Sequence, residues 1–84
     1  MTGSATDYAA LFGRNFRAAR MHAGLNIAEV SERTGLQLST ISAIEHGGLN
    51  VTIDSMGLLA EAIERPLAML LEAGIEFIED DVGS

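Results

Sequence analysis

Two histidines, His22 and His46, and a cluster of Ser39, Ser42 and Glu45 are the side chains of this sequence best suited to bond-making chemistry. The histidines fall on what read as different helices, and no third ligand stands at metal-like spacing. The chain has no cysteine, so it offers no thiolate ligand, no thiol nucleophile and no disulfide framework. Ser39, Ser42 and Glu45 are neighbours at helical spacing, but no basic group is placed to take a serine proton. His22 fits better as a cation favoured near a helix C-terminus. No phosphate-cradling glycine loop and no zinc knuckle is present. The residues point away from catalysis, metal and cofactor, and toward binding.

The elements that would position a binding surface centre on residues 27–47, IAEVSERTGLQLSTISAIEHG. Asn26 is a good N-cap, and Val30, Ser31 and Thr34 give an apolar-to-small face at helical spacing. Gly35 can take a positive φ and end that helix. Leu36 returns to the core, the next helix turns Ile41 and Ile44 inward, and Gly47-Gly48 closes it. Two helices of about eight residues joined by a short glycine-containing turn form a helix-turn-helix.

Around this pair, Thr6 can cap a first helix, with Asp7 favourable against the helix dipole, running to about Ala23 and ending at Gly24. Phe12, Phe16 and Ala19 form its core stripe; Arg14 and Arg17 lie off it, and Arg20 sits beside it. Thr52 caps a fourth helix with Asp54 in its first turn, and Ile53, Met56, Leu59, Ala60 and Ile63 are its inward set. Gly57 inside it suggests a close helix contact. Arg65-Pro66 breaks that helix, and Pro66 opens a fifth, Leu67 to Ala73, closed by Gly74, with Leu67 and Leu70 inward. Leu58, Met69 and Leu71 are left as surplus apolar surface, which a dimer face would cover. Ile75, Phe77 and Ile78, set between acids, fit a short strand, a continuation of the fifth helix or an arm across a dimer.

Residues 27–47 resemble the helix-turn-helix of the Cro/Xre-type repressors, the lambda-repressor-like DNA-binding domains. The likeness rests on Ser31, Gly35, Ser39-Thr40 and Ile44-Glu45-x-Gly47. Gly24-Leu25 precedes the motif, Asn50-Val51-Thr52-Ile53 follows it, and the match runs without a gap over residues 12–71. The resemblance implies an all-α, five-helix domain over residues 7–73, with a disordered N-terminus at 1–6 and an acidic extension, tail or strand, at 74–84. It implies a buried ion pair between Arg20 and Glu45. It implies that Gln37, Leu38, Ser39, Thr40, Ser42, Ala43 and His46 face the major groove of double-stranded DNA. There Gln37 could pair with adenine, Ser39 and Ser42 with several base edges, and Leu38 and Ala43 with a thymine methyl. Many members carry glutamine at the first position of the second helix and basic residues at the sites matching His46, Gly48 and Leu49. This sequence has Ile27, His46, Gly48 and Leu49, which leaves Arg14, Arg17, Arg33, helix N-terminal amides and protonated His46 for phosphates.

The formal charge of −7 is distributed unevenly. Up to residue 48, four arginines balance four carboxylates; beyond it, Arg65 stands alone against eight. The motif half is thus near neutral and the second half acidic. No apolar run reaches the roughly 20 residues of a membrane span, and no basic-then-apolar leader pattern is present, so a cytoplasmic protein is expected. Two functions fit. One is a homodimeric, sequence-specific transcriptional regulator on an inverted repeat, with Leu58, Met69, Leu71, Ile75, Phe77 and Ile78 at the two-fold. The other is a protein-interaction module whose acidic half docks a basic partner.

Overall fold

The computed structural model describes residues 7–49 and 51–73, and the expectations made for residues 1–6 and 74–84, including Ile75, Phe77 and Ile78, lie outside them. The described residues form five helices and no strand: α1 (Tyr8–His22), α2 (Ile27–Thr34), α3 (Leu38–Glu45), α4 (Ile53–Ala62) and α5 (Leu67–Leu70). This is the expected all-α, lambda-repressor-like plan.

Local chemistry sets most of the boundaries. α2 starts on a reciprocal cap: Asn26 Oδ1 accepts from Glu29 N–H and Glu29 Oε1 accepts from Asn26 N–H, both at 2.8 Å. Thr52 Oγ1 caps α4 by accepting from Ser55 N–H. α1 departs from expectation, because its cap is Asp7, whose carboxylate accepts from Ala10 N–H at 3.1 Å, and not Thr6. A carboxylate caps as well as a hydroxyl and adds charge against the dipole, which decides between adjacent candidates. The residues just before the caps of α2, α3 and α4 are Leu25, Leu36 and Val51. All three pack against the core, as do Val30, Ile41 and Met56 at the fourth helical positions, the placement of a hydrophobic staple.

The core gathers Phe12, Phe16 and Ala19 of α1, Val30 of α2, Ile41 and Ile44 of α3, Met56, Leu59 and Ala60 of α4, Ile63 and Leu70. The rings of Phe12 and Phe16 stack at 5.7 Å between centroids. Each fully buried side chain of this size stabilises by about 1.5–3 kcal/mol. Ile53 does not join them. It is 61% exposed, while Val51, just before the cap, packs against the core.

The close helix contact falls at Gly13 and not at Gly57. A methyl group on Gly13 would stand 2.0 Å from the Ile44 carbonyl oxygen, so α1 and α3 cross backbone to backbone there. A methyl on Gly57 would meet nothing within 4 Å. α5 is also shorter than expected, ending at Leu70 and not Ala73. At and just past its end, Asn15, buried on α1, donates from Nδ2 to Leu70 O and to Glu72 O, both at 2.9 Å. These bonds tie the end of α5 to α1.

Leu58, Met69 and Leu71 are not equivalent surplus surface. Leu71 is half-buried against the core, Met69 is half-buried, and Leu58 lines a cleft beside Arg33 of α2.

Candidate nucleic-acid interface

The turn between α2 and α3 is held by two hydroxyls. Ser31 Oγ donates to Leu36 O, while Thr34 Oγ1 donates to Val30 O and accepts from Leu36 N–H. Gly35 sits between them at φ 79°, a conformation that a side chain would strain. The small residue at position 31 thus fixes the turn as well as admitting the neighbouring helix, and residue size alone had not shown it.

Fixed in this way, α3 packs against both α1 and α2 and buries Ile41, Ile44 and Glu45. Glu45 is anchored by Arg20 through two bonds, Nε to Oε2 at 2.6 Å and Nη2 to Oε1 at 3.0 Å. The third nitrogen, Nη1, donates to Leu25 O at 3.0 Å and ties the pair to the entry of α2. Both charges are buried, and the forked geometry satisfies them together. Beyond Glu45, His46, Gly47 and Gly48 close the helix: Gly48 N–H reaches Ala43 O at 2.8 Å and Gly47 N–H reaches Ile44 O at 3.0 Å.

The opposite side of α3 presents Gln37, Leu38, Ser39 and His46 exposed, with Thr40, Ser42 and Ala43 half-buried among them. Gln37 makes no side-chain cap, so the first amides of α3 keep their donors for an outside acceptor. α2 differs, because its start is closed by the Asn26–Glu29 cap and carries a carboxylate there.

Arg14, Arg17, Ala18, Glu45 and His46 line one cleft of about 420 Å³ between α1 and the end of α3. Arg14 and Arg17, one turn apart on α1, therefore share a hollow with His46 from the far end of α3. His46 Nδ1 lies 2.8 Å from Ser42 O, which can only accept; this makes Nδ1 the protonated nitrogen. Nε2 is then an acceptor in the neutral ring and a donor in the cation. Arg33 does not belong with this group. Its Nη1 donates to Ala62 O at 2.7 Å on the α2–α4 side. Asn15 and Gly13, which set the position of α1 beneath the cleft, carried no local signal.

No helix among the described residues is long and apolar enough to cross a membrane. No curated protein matches the chain. A family model described as helix-turn-helix matches residues 16–70, which spans α2, α3, α4, α5 and the part of α1 that bears Arg20. The chain therefore belongs to the Cro/Xre-type helix-turn-helix family, a family of DNA-binding regulators.

Proposed function

We propose that this protein is a sequence-specific transcriptional regulator that binds an inverted-repeat operator as a homodimer. The supporting observation is the division of α3 into a face locked to the core by Ile41, Ile44 and the Arg20–Glu45 pair, and a face that offers Gln37, Leu38, Ser39, Thr40, Ser42 and Ala43. A helix so held enters a major groove as a rigid body. Gln37 then pairs with adenine, the hydroxyls with several base edges, and Leu38 and Ala43 with thymine methyls. Arg14, Arg17 and protonated His46 take phosphates from their shared cleft, and the first amides of α3 take another. The dimer would space two copies of α3 by roughly 34 Å, one turn of duplex.

Selection of bound duplexes from a random pool at low salt tests the reading. An enriched inverted repeat, lost in a Gln37→Ala, Ser39→Ala double variant that still folds, is the expected result. Recovery of unenriched sequence, the same for parent and variant, would count against base reading by α3. A second reading is favoured by Leu38, 51% exposed at the start of α3: this surface would be a protein interface. On that reading Leu38→Asp abolishes partner binding, while the Gln37 and Ser39 changes do nothing.

A further inference from the structure

The exposed side of α3 carries no charge. Glu45, the one charged residue of the helix, is buried and held by Arg20. Arg14 and Arg17 stand on α1, and their cleft takes in His46 at the far end of α3. The start of a helix entering the groove is the part that meets base edges, and here it offers Gln37, Leu38 and Ser39, all exposed. In the major groove arginine or lysine pairs with guanine, an acidic side chain accepts from cytosine, and glutamine or asparagine pairs with adenine. Readers of the first two kinds are missing from this face. Gln37 makes no side-chain cap, so its amide is available to adenine. Serine discriminates little, since a hydroxyl bonds donors and acceptors alike.

Leu38 is the most selective of the three. It is apolar and 51% exposed, and the one apolar group at the base edges of the groove is the C5-methyl of thymine. Set against an amino, carbonyl or ring-nitrogen edge, a leucine displaces water and returns no hydrogen bond. Set against a methyl, it gains van der Waals contact without that loss. A cytosine methylated at C5 carries the same group at the same ring position. It differs from thymine at the neighbouring exocyclic atom, an amino donor in place of a carbonyl acceptor, and leucine bonds neither. At this position the methyl therefore counts for more than the identity of the base.

Resting on the proposed reading of α3 as the base-reading helix, we infer that Leu38 recognises a pyrimidine C5-methyl group within an A·T-rich half-site. 5-Methylcytosine then stands in for thymine at that position, and methylation of a cytosine there strengthens the site. The test takes the duplex enriched from a random pool and replaces its thymines one at a time with deoxyuridine, cytosine or 5-methylcytosine, the opposite base being changed to match. Affinity for the full chain is read by fluorescence anisotropy at fixed salt. One thymine in each half-site, replaced alone by deoxyuridine, should lose about fourfold in affinity, the worth of one buried methyl. Cytosine there should bind at least as weakly, and 5-methylcytosine should recover about fourfold over cytosine. Leu38→Ala should flatten the dependence at that thymine, and Leu38→Met, which keeps an apolar tip, should retain it. Four results would each overturn the inference while leaving sequence-specific binding in place. They are a half-site rich in G·C, deoxyuridine silent at every position, 5-methylcytosine no better than cytosine, and a methyl dependence unchanged in Leu38→Ala. A pool from which no sequence is enriched would overturn the base-reading role of α3 and the methyl recognition together.

Discussion

Arg20 meets both carboxylate oxygens of Glu45, and little solvent reaches them. Removing one member of a buried pair strands the other, at a cost of about 3–5 kcal/mol. Glu45→Ala is therefore expected to lower the melting temperature by more than roughly ten degrees, given about 4–8 °C per kcal/mol in a domain of this size. Replacing both partners together, Arg20→Met with Glu45→Leu, should recover most of the loss. A single variant that melts within two degrees of the parent would show the pair to be hydrated. Glu64 offers the opposite experiment. It closes α4 at φ 57°, with Arg65 N–H on Ala60 O and Glu64 N–H on Glu61 O, the geometry that Gly24 and Gly47 provide at the ends of α1 and α3. A side chain there costs about 1–2 kcal/mol, partly offset by the entropy that glycine loses on folding. Glu64→Gly should therefore stabilise by about 0.5–1 kcal/mol. Glu64→Ala should not, and equal melting of the two variants would remove the strain argument.

At the scale of helices, the position of α3 over α1 is set by Gly13. Gly13→Ala must push the two backbones apart, because the new carbon would begin 2.0 Å from Ile44 O. A destabilisation of about 2 kcal/mol or more is expected, at the upper part of the range for overpacking. Gly57→Ala has open space, and should be neutral or stabilising by up to about 1 kcal/mol through helix propensity. Denaturant unfolding of the two variants decides the matter; the reverse order would mean that the crossing is misplaced. This pair also shows what could be read in the chain before its fold was known. Asn26, Gly35 and Thr52 act on amides or dihedrals within a few residues, so their meaning is local and was legible. Whether a glycine is needed for a crossing depends on what lies across from it, and nothing near Gly13 or Gly57 in sequence carries that. Ile53 was misplaced for the same reason, since helical periodicity gives a face but not where the neighbouring helices stop. Asn15 is a polar residue beside the apolar stripe whose partners at Leu70 and Glu72 lie across the whole domain. On the recognition face, the polar run on α3 was visible; the meeting of Arg14, Arg17 and His46 in one cleft required the packing of α1 against α3.

At the scale of the whole molecule, the −7 charge and the small cation set put a number on DNA binding. A dimer brings four arginines from Arg14 and Arg17, so at pH 8 the slope of log affinity against log salt should be about −3.6, at about −0.9 per phosphate. A slope near −8 would point to phosphate contacts elsewhere. Sedimentation at tens of micromolar, with and without residues 75–84, checks the dimer on which that count rests; a monomer in both would halve the expected slope. The clamp from Asn15 to Leu70 and Glu72 has a consequence in time as well as in space. The two ends it joins are 55 and 57 residues apart, nearly the full length of the domain. On a ribosome adding about 5–20 residues per second, α1 emerges roughly 3–11 s before its clamp partners are made. During that interval Phe12 and Phe16 have no finished core to enter. The α1 stretch of the nascent chain is thus exposed to misassociation until Leu70 and Glu72 have been made.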